Sequence, residues 1–261
     1  MDPLAAPLSC PCVEGYAQRD YQVLAGHLQA RTGREVEVTF GESLAAALKK
    51  TDGRADIVIG KHSVIRADAH SARLEVQPVA QLTDRSGDTT QYGMIVVNRD
   101  DPAKSIKDLD GYTVIFGPAE ADEKHGAALK LLKEAGVQIP KTLTIDMACS
   151  DGACKVIDLG PKSKTAAVIS SYAQPLLEGC GTIKKGDLRV VAKTAPVPFV
   201  TAFVSAKLND GARRSVQDAL LNASADPKVL QSMESLIGFL PFEQSEPQSV
   251  DRSPELTAKK K

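Results

Sequence analysis

Tryptophan is missing from this sequence, and aromatic residues of every kind make up only 4% of it. The core is therefore expected to consist of Ala, Val, Leu and Ile. Cysteine is scarce as well. Five in 261 residues (Cys10, Cys12, Cys149, Cys154 and Cys180) are too few for a disulfide-built scaffold. Their odd number leaves at least one unpaired or paired between chains. No apolar run approaches the ~18 residues that a bilayer-crossing helix needs. Neither sign of charge is in excess, with 32 Lys+Arg against 33 Asp+Glu, and no basic block precedes the last three lysines. That removes the usual footprint of a nucleic-acid binder. Residues 1–7 show neither the basic start nor the apolar stretch of a secretory signal. The chain is thus either cytoplasmic or one from which a signal has been removed. What is present is ordinary globular composition, 43% hydrophobic and 25% charged. The length suits one large domain or two smaller lobes.

From residue 16 to about 240, helical and strand patterns alternate, which predicts α/β layers on a largely parallel sheet. Ala17, Tyr21, Leu24, Ala25 and Leu28 form one helical stripe that Gly33 would end. A strand is expected at 36–40 and a short helix near 42–50. Ala55-Asp56-Ile57-Val58-Ile59-Gly60 then reads as a buried parallel strand ending in glycine. The pattern repeats with strands at 94–97 and 112–116, a short helix at 106–110, and a long helix from Ala121 to Ala135 closed by Gly136. Strands at 143–146, 166–169 and 188–192 alternate with helices at 153–159 and 171–177. After Pro196 and Pro198 come a strand at 200–204 and helices at 212–223 and 228–237. In such folds ligands sit beyond the carboxyl ends of strands, beside helix N-termini.

The order of these segments is familiar. Tyr21…Leu24…Leu28…Thr32-Gly33 and then Ala55-Asp56-Ile57-Val58-Ile59-Gly60 resembles the first lobe of periplasmic solute-binding proteins of the phosphonate/phosphate ABC-transporter type. Gly93-Met94-Ile95-Val96-Val97-Asn98, continuing through Asp108-Leu109-Asp110-Gly111-Tyr112-Thr113-Val114, is similar to that family's crossing into a second lobe. Val197-Pro198-Phe199-Val200 is similar to its return crossing. The resemblance spans roughly residues 8–240. It implies a type 2 periplasmic-binding fold, with two Rossmann-like α/β lobes joined by two hinge strands. The first lobe would comprise 1–93 plus 198–242, the second 94–197, and 243–261 would be a flexible tail. It also implies a monomeric periplasmic protein, its signal removed, that is not an enzyme and carries no cofactor. Its partners would be a small polar solute and an ABC permease, with no nucleic acid and no membrane insertion. The alternative is an accessory or sensor module that serves a periplasmic enzyme or carries a metal. An oxidising compartment would permit disulfides, among them Cys149 with Cys180 or with Cys154.

The candidate ligand residues follow the strands. Lys61, His62 and Ser63 supply a cation, an imidazole and a hydroxyl at a helix start, although Ser63 could equally be a cap. In the phosphonate binders a Ser/Thr-rich turn holds the phosphonate oxygens, whereas the corresponding residues 118–125 here carry Glu120, Asp122, Glu123 and His125. Two unit charges ~4 Å apart interact by about 4 kcal/mol at an effective dielectric constant of about 20, more than a helix dipole offers an anion. A bare phosphonate is therefore disfavoured at this turn. Asp122 and Glu123 either complement the dipole from the solvent side, or Glu120 and His125 face the cleft. Ser150 and Asp151 occupy a turn where the family has Ser-His-Asp, and either could cap the next helix. Tyr172 follows a strand, and Thr90 and Tyr92 flank the first crossing. The mixed charge of these ten positions favours a zwitterionic, cation-bearing or metal-chelated solute. Cys10 and Cys12 are a weaker metal candidate, because their spacing is not that of a structural zinc site.

Overall fold

Local chemistry sets the element boundaries in the computed structural model, which describes residues 2–9 and 18–243. Helix α1 (Tyr21–Thr32) starts where the Asp20 carboxylate accepts the Gln22 N–H at 2.9 Å, and stops at Gly33, whose φ is 67°. Its buried face holds Tyr21, Leu24, Ala25 and Leu28; Ala17 lies outside the described residues. Next come α2 (Leu44–Lys50), β1 (Ile57–Lys61), α3 (His62–Ser71), β2 (Val76–Leu82), β3 (Thr90–Gln91) and β4 (Gly93–Asn98). The middle of the chain supplies β5 (Thr113–Phe116), α4 (Gly126–Glu134), β6 (Thr144–Ile145), α5 (Cys149–Leu159), β7 (Thr165–Ser170), α6 (Ala173–Gly179) and β8 (Leu188–Lys193). It returns through β9 (Val197–Pro198), β10 (Val200–Ser205), α7 (Asp210–Leu221), α8 (Pro227–Ser232) and β11 (Phe239–Pro241).

These strands form two sheets with a ribbon between them. The first has the order β1-β10-β2-β11, and every neighbouring pair is antiparallel. A bulge opposite Ala202/Phe203 accommodates Pro78, which has no N–H to give the ladder. The second sheet has the order β6-β5-β7-β4-β8; β5 runs parallel to β6 and β7, while β4 is antiparallel to β7 and β8. The expected largely parallel sheet is therefore a mixed arrangement, and β1 is an antiparallel strand. Residues 36–40 differ too. Val36, Val38 and Phe40 pack on the first core and Glu37 is exposed, yet the stretch joins no ladder among the described residues.

Each sheet carries its own core. In the first, Leu24, Leu28, Val79, Leu82, Val200 and Leu220 pack together, so α1 and α7 cover the sheet. In the second, β4 is buried on both faces. Ile95 and Val97 meet Phe116 and Leu132 on one side, and Met94 and Val96 meet Val156 and Ile169 on the other. Between the sheets, β3 pairs with β9 through Thr90↔Pro198 and Gln91↔Val197, and both crossings of the chain run through this ribbon. Phe199 ties the ribbon to the first sheet: its N–H donates to Thr89 O at 3.0 Å and its carbonyl accepts from His62 N at 2.7 Å. The stretch from 243 onward lies almost wholly outside the described residues, as do Cys10 and Cys12.

Candidate functional site at the junction of the two lobes

The carboxyl end of β1 delivers Lys61 to the second lobe. There its Nζ meets Glu123 Oε1 at 2.5 Å, with Glu123 wholly buried and Lys61 nearly so. Glu123 sits in a 3₁₀ turn, Asp122–Lys124, between β5 and α4. The helix expected from Ala121 begins at Gly126 instead, because His125 breaks it with φ −123° and ψ −84°. That break turns Glu123 and Lys124 inward. Two glycines receive the turn. A side chain at Gly93 would collide with the Glu123 carbonyl, and one at Gly117 would meet Lys124 Cβ and Cε at 2.6 Å. Both glycines are needed for close approach rather than for a left-handed φ.

Around the pair, hydrogen bonds link the lobes again. Ser63 Oγ donates to Glu120 O at 2.7 Å and accepts from Asp122 N at 3.3 Å. Ser63 is thus an inter-lobe contact, not the cap of α3, whose N-cap position is Lys61 with no side-chain bond. Ser170 Oγ, at the end of β7, donates to the same Glu123 Oε1 at 2.6 Å. Glu123 Oε2 is buried and has no hydrogen-bond partner among the described residues. An unsatisfied buried oxygen of this kind costs about 1–3 kcal/mol. Burial pushes the Glu123 carboxyl up, but the Lys61 charge and the bonds from Lys61 and Ser170 outweigh it, so the group stays below the usual carboxylate range. Asp122 is raised, by burial first and then by the adjacent Glu123.

An aromatic stack completes the junction. Tyr172 lies 5.0 Å from the Phe199 ring, centroid to centroid, and packs on the first lobe's core although it follows β7 of the second. Lys61 Nζ stands 5.9 Å from the centre of the Tyr172 ring, and the Arg19 guanidinium covers Phe199 at 5.6 Å. Arg19 is itself held by buried Asp2 at 3.0 Å, and Tyr21 OH also donates to Asp2.

The ten candidate positions separate clearly. Lys61, Ser63 and Tyr172 place their side chains in the junction, and Glu120 contributes its carbonyl. His62 turns into the first lobe, where Nδ1 meets Thr201 Oγ1 at 3.1 Å and the ring stacks on Phe242. His125 Nδ1 bonds Gly117 O at 2.8 Å within the second lobe. Thr90 is exposed on the ribbon, and the half-buried Tyr92 lies near Lys193 Nζ, which is 5.1 Å from its ring centre. Ser150 and Asp151 lie in the first turn of α5. Neither caps it, since the N-cap position is Ala148 without a side-chain bond. From that turn it is Cys149 that reaches the junction, its Sγ 3.6 Å from Ser170 Oγ. Cys149 and Cys154 are free thiols, so the disulfides considered for Cys149 are not formed. Among the described residues no group of three or more His, Cys, Asp or Glu could hold a metal ion. A cavity of about 800 Å³ opens in the first lobe beside Val38, Phe40 and Ile57; neither Lys61 nor Glu123 lines it.

Burial, with Arg66 adding to it, lowers the His62 pKa from 6.5 to about 4. Between those values the unfolded chain binds a proton that the folded chain refuses, so stability falls as the pH drops from 6.5 towards 4. The full shift would correspond to about 3 kcal/mol; partial exposure of the ring reduces that to about 1–2 kcal/mol. Glu123, also lowered, adds a loss in the same direction as the pH falls through its own value. Chemical denaturation of the wild type and of His62→Gln at pH 7 and pH 4.5 checks this. The variant is expected to lose less stability on acidification.

Two α/β lobes, two crossings through a short ribbon and a polar junction between the lobes define a two-lobed binding protein of the type 2 periplasmic-binding class. The chain belongs to the family of periplasmic substrate-binding proteins of phosphonate ABC transporters, whose model matches residues 15–247. It is similar to a Xanthomonas citri protein solved with ATP bound, at 20% identity and a TM-score of 0.66 over 85% of this chain and 86% of that one. A binding component of an ABC phosphonate transporter from Pseudomonas aeruginosa is 18% identical, with a TM-score of 0.65 over 85% and 75%. PhnD1 of Prochlorococcus marinus in complex with methylphosphonate is 15% identical, with a TM-score of 0.62 over 86% of each chain. No curated protein matches the sequence significantly. At these identities the structures establish the fold, and the ligand must be argued from this chain's own residues.

Proposed function

We propose that this protein captures a small polar solute between its lobes and presents it, as a monomer in the periplasm, to an ABC permease. The lobes divide at the β3–β9 ribbon, close to residues 93/94 and 197/198. One observation carries the reading: each lobe brings one member of a buried charge pair, Lys61 and Glu123, to a single point that opens only when the lobes part. A solute that touches both lobes favours the shut form by its difference in affinity for the two states, which is how a hinge is driven by binding. Membership of a family of substrate-binding transport components supports binding rather than chemistry as the work of this junction.

A thermal-unfolding screen against amino acids, phosphonates and inorganic anions tests this. At a hundredfold excess over Kd, binding adds about 2.7 kcal/mol, and in a chain of this size that raises the midpoint by about 5–10 °C. One chemical class is expected to do so. A filled junction is also what an accessory module would show, and the screen separates the two readings. No shift with any solute, together with saturable binding to a periplasmic enzyme, would replace the transport reading.

A further inference from the structure

The unpartnered oxygen of Glu123 bears on which solute enters, and the argument rests on the solute-capture reading above. Glu123 Oε1 accepts from both Lys61 Nζ and Ser170 Oγ, while Oε2, equally buried, accepts from nothing among the described residues. Two of the nearby donors are already engaged. The Ser63 hydroxyl is bonded to Glu120 O, and the Lys124 ammonium reaches Met147 O at 3.3 Å. An ionised carboxylate can only accept, so what is missing at Oε2 is a donor. An anion brought here alone would face that carboxylate, whereas an ammonium would complete it. Lys61 has the opposite capacity, because its ammonium carries three donors and can hold an anionic group once the lobes part.

We infer that the solute is a small zwitterion whose ammonium N–H binds Glu123 Oε2 and whose anionic group binds Lys61. The internal pair is then exchanged for two solute pairs, and every buried charge keeps an opposite partner. A bare oxyanion leaves the carboxylate opposed, and a bare metal ion finds no cluster of ligands among the described residues.

Titration calorimetry of the full chain tests this with glycine, 3-aminopropanoate, 4-aminobutanoate, 2-aminoethanesulfonate and 2-aminoethylphosphonate, each beside the same molecule without its amine. At least one zwitterion is expected to bind about tenfold or more tighter than its amine-free counterpart, the scale of one charge-assisted hydrogen bond. In Glu123→Gln that preference shrinks to about twofold or less, because an amide carries no charge to pair with the ammonium. The wild-type ratio decides the matter even if the variant fails to fold. Equal binding of the amine-free anions, or an undiminished preference in Glu123→Gln, overturns the inference. If none of these zwitterions binds while other solutes still raise the unfolding midpoint, the zwitterion site is wrong and solute capture stands; a chain stabilised by no solute loses both.

Discussion

Lys61→Met is expected to lower the unfolding midpoint by about 6–20 °C. Removing the ammonium leaves the Glu123 carboxylate buried with only Ser170 as a donor, and breaking a buried pair from one side costs about 3–5 kcal/mol. In a chain of this size each kcal/mol moves the midpoint by about 2–4 °C. The companion result is sharper. Lys61→Met combined with Glu123→Leu is expected to recover most of the loss, since an apolar pair of similar volume needs no compensation. A double-mutant cycle read by thermal unfolding measures the coupling directly. If the single and double variants melt alike, the charge pair does not hold the junction.

Gly93→Ala is the second large effect, and it works from the other side of the pair. Its Cβ would collide with the Glu123 carbonyl and stand 3.1 Å from Thr194 Cγ2. Thr194 and the strand itself cannot retreat easily. Gly93 N donates to Thr194 Oγ1 at 2.8 Å, and β4 is fixed between β7 and β8. The 118–125 turn must then lift and take Glu123 away from Lys61. Overpacking and loss of the pair together are expected to cost about 3–6 kcal/mol, with solute binding lost as well. Because Lys61→Met removes the same pair, the two substitutions combined should cost clearly less than the sum of their separate effects. Strict additivity in thermal unfolding would show that Gly93 does not act through the turn.

Much of the architecture was legible in the chain. The apolar strand runs expected up to Gly60 and Gly117, the stripe of α1 closed by Gly33, and the crossings at 93–98 and 197–200 all led to the two-lobed fold that the family match bears out. Strand direction was not legible. The run at 57–60 has the apolar content of a buried strand, and nothing in that pattern states that its neighbour, β10, runs the other way. Residues 36–40 alternate as a strand should, but alternation specifies which side faces the core, not whether a ladder forms.

The junction was harder to read for a related reason. Glu123 looked like a charge in the first turn of a solvated helix, and its partner lies 62 residues away in the chain. Periodicity carries no information at that range. The available signal lay in glycine: Gly93 and Gly117 mark where the backbone and the Lys124 stem come too close for any side chain. Phe199 was read as part of a crossing, and only the fold places its ring between Arg19 and Tyr172. Ser150 and Asp151 drew attention as polar residues at a helix start, whereas the neighbouring Cys149, an unremarkable small thiol in sequence, is the one that touches Ser170.

Small-angle X-ray scattering of the solute-free chain at pH 7, compared with Lys61→Met under the same conditions, tests most directly whether Lys61 and Glu123 clasp the two halves together. The account predicts a compact wild-type profile and a measurably larger radius of gyration in the variant. Superimposable profiles for the two proteins at pH 7 would contradict it.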